Sequence, residues 1–178
     1  SRKCFALDDN MKLDVEKVQA FLERHQGKQI LVFGFTYLIW QKLYKQLKEA
    51  GIRLDLSNAI LIHGGGWKKL KNEAVSEEMF RAGLYETCCL EKISNYYGMA
   101  EQTGSIYIEC ERHHFHASLF SEIMMRNLQD FSICPIGEEG VIQVMTPLAL
   151  SFPGHNLLTE DKGVLLGVDD CPCGRKGK

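Results

Sequence analysis

The sequence lacks a long hydrophobic run: no stretch of its 178 residues approaches the ~20 consecutive apolar residues of a membrane-spanning helix. The start, Ser1-Arg2-Lys3-Cys4, leads into no apolar core of the signal-peptide kind. A membrane span and a secretory leader are therefore not expected from these residues. It also lacks an excess of charge of either sign. Twenty-one basic residues against 23 acidic ones give a net charge of −2, and neither sign collects into a long block. Capture of a nucleic-acid backbone by bulk charge is excluded on that basis. There is no internal repeat and no low-complexity linker, so collagen-like and disordered classes fall away. Full internal disulfide pairing is impossible, because the cysteines number seven, and a reducing cytoplasm is the expected location. What is present, 45% hydrophobic and 25% charged residues, suits one ordinary domain with its own core.

The first part alternates helix and strand signals. Val15, Val18, Phe21 and Leu22 form an amphipathic face that Gly27 ends. Gln29 to Phe35 is almost wholly apolar, as expected of a strand covered on both faces. Leu38, Ile39, Leu43 and Leu47 mark a second helix closed by Gly51, and Asn58 to His63 a second buried strand. Val75, Met79, Phe80 and Leu84 mark a third helical face, followed by a strand candidate from Glu91 to Tyr97. That order predicts a small parallel sheet with crossover helices over residues 1–98. Over residues 99–178 the pattern becomes antiparallel. Short β-rich runs at 105–109, 121–125, 141–145 and 164–168 are separated by the turn signals Gly137-Glu138-Glu139-Gly140, Pro153-Gly154 and Asp161-Lys162-Gly163. The expected class is thus α/β, a parallel portion followed by an antiparallel β portion. The closing Gly174-Arg175-Lys176-Gly177-Lys178 is a basic loop with no final element and reads as an interrupted end.

Three loops carry candidate chemistry. Tyr96-Tyr97-Gly98-Met99-Ala100-Glu101 follows a buried strand, and in parallel sheets ligands bind beyond the carboxyl ends of the strands. A ring beside a glycine can stack on a base, and a carboxylate three residues on can hold a divalent cation. The same spacing also suits a plain strand-to-turn corner with a solvated Glu101. His63-Gly64-Gly65-Gly66-Trp67 ends the preceding strand. Each glycine costs roughly 1 kcal/mol in backbone entropy relative to alanine, which suggests close backbone approach to something. The run has neither P-loop nor dinucleotide-fingerprint spacing. Leu158-Thr159-Glu160-Asp161-Lys162-Gly163 reads as a β-turn opened by Asp161, whose carboxylate could also accept from ribose hydroxyls.

A separate cluster suggests a metal. Cys171-Pro172-Cys173-Gly174 holds two thiols close through a turn, and Cys110 lies just before His113, His114 and His116. Cys110, His116, Cys171 and Cys173 would make a Cys₃His tetrahedron, a usual structural zinc arrangement, although buried cysteines are also ordinary core residues. Phe115 alternates with His114 and His116, so these two share a face and His113 points away; His116 is the first choice of ligand and His114 the second. Cys4, Cys88, Cys89 and Cys134 read as core or surface thiols.

The order HGGGWKKL, NYYGMAEQTGSIY and LLTEDKG resembles the adenylate-forming superfamily. The wording of the loops, with SIYIEC and CPCGR, is similar to its acyl-protein synthetase branch, and the related phenylacetate-CoA ligases carry a Cys…His…CxCG set with structural zinc. The resemblance spans about residues 34–178. It implies that Gly64, Gly65 and Gly66 line the adenine and acyl pocket and that Tyr97 stacks on adenine with Gly98 beneath it. It implies further that Glu101 coordinates Mg²⁺ and Asp161 bonds the ribose of ATP or AMP. Ala100 stands where most adenylating enzymes have a phosphate-binding threonine, and the Ser/Thr/Gly-rich phosphate loop and the mobile domain with a catalytic lysine are not in the 178 residues. The implied activity is ATP-dependent activation of a carboxylic acid, first a long-chain fatty acid and second a small aromatic acid, with transfer to a reductase-type protein thiol or to CoA. On its own the chain is expected to be inactive. The rival expectation is a non-catalytic, zinc-stabilised α/β binding or interaction domain.

Overall fold

Residues 2–67, 72–150 and 153–178 are described by a computed structural model. Lys68, Lys69 and Leu70 of the glycine-rich motif lie outside these residues. The chain forms two compact units, Ser1–Asn95 and Tyr96–Lys178.

In the first unit the apolar periodicity produces helices on one side of a parallel strand pair. Helix α1 (Val15–Arg24) starts where the Asp14 carboxylate accepts from the Lys17 amide at 3.0 Å, a cap that satisfies one free N–H of the first turn. Strands β1 (Ile30–Phe35) and β2 (Ala59–Gly64) run parallel, with Ile30 opposite Ala59 and Phe35 opposite Gly64. The expected second helix is not uniform. It begins as α2 (Thr36–Leu38), widens into a π-helical segment over Ile39–Tyr44, and ends as α3 (Lys45–Ala50), with Gly51 at φ 65° as its left-handed cap. The wide turn presents Trp40 and Tyr44 as a stacked pair, ring centroids 4.0 Å apart. Helix α4 (Glu77–Cys88), capped by Ser76, meets these rings at Gly83, where a Cβ would come within 2.7 Å of Tyr44. Leu47, Leu61, Phe80, Leu84, Cys88 and Leu90 form the centre of one apolar core.

Two expectations fail in this unit. Strand β1 was expected to be covered on both faces, yet Leu31 and Phe33 are 65% and 64% exposed while Ile30 and Val32 pack on the core. Successive strand side chains alternate between faces, and among the described residues the helices cover one of them. Met79, expected on the buried face of its helix, is 58% exposed, while Phe80 and Leu84, expected with it, do face inward, joined by Gly83.

Strand β3 (Lys92–Tyr97) carries the chain across the boundary. In the second unit its end pairs antiparallel with β4 (Tyr107–Glu109), and β4 with β5 (Phe115–His116). Strands β6 (Glu122–Arg126), β7 (Glu139–Met145) and β8 (Asn156–Val164) form an antiparallel sheet with β7 in the middle. The expected strand at 164–168 is absent. The preceding segment is the strand, and Asp161-Lys162-Gly163 is part of it rather than a turn. Gln143 pairs with Leu158 and Val141 with Lys162, so Thr159, Glu160 and Asp161 stand opposite the single Ile142. The bulge takes up Asp161, while Lys162 and Gly163 pair with Val141 and Gly140 in the ladder. Among the described residues no helix is long and apolar enough to cross a membrane.

Candidate functional site

The two glycine-containing loops and Asp161 are held by different devices. In the first unit, the Thr36 hydroxyl donates to the Gly64 carbonyl at 3.2 Å and lies 2.9 Å from His63 Nδ1. A hydroxyl has one proton, so the bond to Gly64 requires the imidazole to donate through Nδ1. Buried Thr36 and His63 thereby fix the exit of β2. Beyond it Gly65 adopts φ 73°, and a Cβ on Gly66 would meet none of the described residues within 4 Å. Among the described residues, packing thus leaves space beside this backbone.

In the second unit Tyr97 ends β3, and its hydroxyl donates to Asp161 Oδ2 at 2.8 Å. Burial, then the bond to Asp161, pushes the phenol up to about 12. The Asp161 amide donates to Thr159 Oγ1 at 3.2 Å, and that hydroxyl donates to the Ile142 carbonyl at 2.9 Å. The bulge therefore aims Asp161 at Tyr97. Gly98 does not have a left-handed backbone, and a Cβ there would sit 3.4 Å from the Ser105 carbonyl. Glu101 is exposed in a short 3₁₀ turn, Ala100–Gln102, with no ion-pair partner among the described residues.

Two residues that sequence reasoning missed hold this turn. Gln102 is 1% exposed, and its amide donates to the Gly154 carbonyl at 2.7 Å and the Val144 carbonyl at 3.1 Å. A Cβ on Gly154 would run into the Glu101 carbonyl, so glycine permits this contact. The sequence signal was slight: Gln102 follows Glu101 directly, and Gly154 looked like an ordinary turn residue after Pro153.

The sulfur cluster lies in the same unit. One potential ligand atom from each of Cys110, His116, Cys171 and Cys173 lies within 4.8 Å of all the others. Cys110 and Cys171 sulfurs are 4.0 Å apart, and His116 Nε2 is 3.4 Å from Cys173 Sγ. His114 Nδ1 approaches Cys171 at 3.5 Å, while His113 turns away to Glu109 at 2.9 Å. Burial, then the Arg175 guanidinium and the His114 ring, holds His116 below the usual imidazole range and favours its neutral form. His116 Nδ1 is buried without a hydrogen-bond partner among the described residues. The sulfurs are arranged by backbone: the Arg112 amide donates to Cys110 and the Arg175 amide to Cys173. The terminal segment is fastened by the Ala117 amide, which donates to the Lys178 carbonyl at 2.9 Å. Three thiols and a neutral imidazole converging in this way fit a tetrahedral zinc donor set.

A parallel α/β unit leading into an antiparallel unit, with an aromatic-Gly-x-x-Glu loop between strands and an aspartate on a later one, has the fold of adenylate-forming enzymes. A long-chain-fatty-acid–CoA ligase from Archaeoglobus fulgidus shares it at a TM-score of 0.59 and 16% identity, covering 79% of this chain and 29% of that one. The chain belongs to the family described as Acyl-protein synthetase, LuxE, whose model matches residues 3–178. It is 28% identical over 167 residues to the long-chain-fatty-acid–luciferin-component ligase of Aliivibrio fischeri and 26% identical over 162 residues to that of Vibrio harveyi. These matches cover 88% and 86% of this chain but only 42% of either relative.

Proposed function

We propose that this chain supplies nucleotide-binding elements of an ATP-dependent ligase that activates a carboxylic acid, foremost a long-chain fatty acid, and passes the acyl group to a protein or CoA thiol. The observation that carries the reading is the Tyr97–Asp161 pair in a chain matched throughout by the acyl-protein synthetase family. In the proposed reaction a carboxylate oxygen attacks the α-phosphorus of ATP and pyrophosphate leaves, giving acyl-adenylate. A thiolate then attacks the acyl carbon and AMP leaves. In the second unit Tyr97 supplies a stacking face for adenine, Gly98 admits it and Asp161 accepts from the ribose; in the first unit Gly64, Gly65 and Gly66 supply open backbone suited to an adenine or acyl group. Glu101 is an exposed carboxylate with no ion-pair partner among the described residues and suits Mg²⁺, which when bound would offset phosphate charge. Gln102 holds the Glu101 turn to its own unit. With Ala100 in the usual threonine position, phosphate contact comes from elsewhere in the ligase.

Cys110, His116, Cys171 and Cys173 are proposed as a structural zinc site that ties the terminal segment to β4 and β5. Metal analysis should find about one zinc per chain, lost in a Cys171→Ser/Cys173→Ser variant; a metal-free preparation of equal stability would refute the site. The activity is tested by incubating the full-length ligase with ATP and either a long-chain fatty acid or an aromatic acid, with acyl-adenylate read by mass spectrometry. Adenylate should form with the fatty acid and be absent with the isolated 178-residue chain. Adenylate formation by the isolated chain would contradict the proposed division of labour, and none by the full-length protein with any acid would contradict the activity.

A further inference from the structure

We infer that Trp67 is a positioning residue: seated on the π-helical turn Ile39–Tyr44, it holds the glycine backbone of residues 64–66 in the conformation that receives a ligand. This rests on the reading above of that backbone as a binding element. Three successive glycines carry no side chain that could pack, and glycine loses more conformational freedom on ordering than any other residue. Among the described residues a Cβ on Gly66 would touch nothing, so the run is not braced from the side. Its shape must come from its two ends.

Both ends stand on one aromatic group. At the first, His63 is held by Thr36, and its ring lies 4.7 Å from that of Phe80. At the second, Trp67 packs against the core with its ring 6.3 Å from that of Trp40 at 78°, an edge-on contact. Trp40 is buried and lies 5.9 Å from Phe80, which closes the group. The π-helical turn makes the seat. There the Lys45 N–H donates to the Trp40 carbonyl, five residues back, and such wide turns occur frequently at functional sites. Gly83 of α4 leaves the room that Trp40 needs, since a Cβ on it would sit 3.0 Å from that ring. The same helical stretch holds the connection again beyond Trp67, where Glu73 accepts from Gln41 Nε2 and Lys45 Nζ, each at 2.5 Å. Those groups are solvent-accessible and an ion pair there contributes little, so the indole is the principal anchor.

A Gly66→Leu variant identifies the ligand, and variants of Trp67 test the anchor. Gly66 has no left-handed backbone and open space beside it, so the fold tolerates leucine there while the side chain takes the room a ligand needs. In calorimetric titrations of the full-length ligase with ATP and with palmitate, Gly66→Leu should abolish binding of one of the two. Trp67→Ala should weaken that same ligand about tenfold, the scale of ordering one more backbone residue on binding. Trp67→Phe keeps an aromatic edge on Trp40 and should stay within about twofold of the wild type. Trp67→Leu should fall between them, and it carries the test if the alanine variant does not fold. Hydrogen exchange should quicken at residues 64–67 and stay unchanged in β1 and α4. Leu84→Ala, which truncates a buried side chain of the same core, should leave the affinity unchanged. If Leu84→Ala weakens the ligand as much as Trp67→Ala does, Trp67 is an ordinary core residue and the inference is refuted. Wild-type affinity in Trp67→Ala or Trp67→Leu, with Gly66→Leu still blocking the ligand, refutes the inference and leaves the binding role of the glycines standing. If Gly66→Leu binds both ligands as the wild type does, that binding role itself fails.

Discussion

The two units are stabilised in different ways. The first has a contiguous apolar core running from Val18 through Trp40, Leu47, Leu61 and Phe80 to Leu90. The second buries scattered apolar residues, among them Tyr107, Met125, Val141 and Val144, and leaves Leu119 and Leu150 96% and 89% exposed. Its order relies on strand pairing, on Gln102 bridging the Val144 and Gly154 carbonyls, and on the converging sulfurs. The proposed binding residues Tyr97, Glu101 and Asp161 all lie in this thin-cored unit. A small core needs cross-links to hold a site still, and a metal is one such link.

The sharpest way to break the comparison is to remove the proposed metal. Chelation, or the Cys171→Ser/Cys173→Ser variant, should expose the second unit while sparing the first, since metal binding to a closed thiolate site is folding free energy, ~10–16 kcal/mol in zinc-finger peptides and less where paired strands already order the chain. Hydrogen exchange should show lost protection in residues 107–126 and 165–178 and unchanged protection in β1, β2 and α4; equal loss in both units would erase the distinction. The converse is Leu84→Ala, which removes a fully buried side chain from the first core. It should lower stability by about 2–5 kcal/mol in denaturant titration without changing zinc content.

A smaller effect is expected from Gln102→Leu, which strands two carbonyl acceptors and should cost about 1–3 kcal/mol in the second unit. Nucleotide affinity should fall with it, while the first unit's exchange pattern stays as in the wild type. The smallest effect concerns the buried thiol of the first unit. Burial raises Cys88 from 9.0 to about 11, so folding favours its proton. That stabilisation is complete below about pH 9 and is lost as the pH rises through about 11. Cys88→Ala should therefore make the decline of stability over this alkaline range shallower; an unchanged slope would show that Cys88 does not titrate there.

Much of the architecture was legible because period and punctuation agree. Gly51 ends its helix, and the apolar Asn58 to His63 run contains most of β2. The failures have specific causes. Composition alone does not distinguish a strand covered on both faces from one with a bare face, which is the difference between β2 and β1. Of the turn-forming residues, Asp161 falls in a bulge and Lys162 and Gly163 pair with Val141 and Gly140, because β7 supplies a partner strand, a long-range fact that local propensity does not contain. At the candidate site, the spacing of Cys110, His116, Cys171 and Cys173 was enough to group them, and their atoms do converge. The contact between Tyr97 and Asp161 spans 64 positions, and only the family resemblance had assigned both residues to one nucleotide. Gln102 and Gly154 were missed because their roles exist only once two distant loops meet.

The most direct test of the central claim is fatty-acid-dependent ATP–pyrophosphate exchange by the full-length ligase and its Glu101→Ala and Asp161→Ala variants. The wild type should exchange, and each variant should fall by at least about a hundredfold, the scale of removing one electrostatic contact to the reacting phosphates or misplacing the nucleotide. Exchange at wild-type rates in both variants would contradict the account.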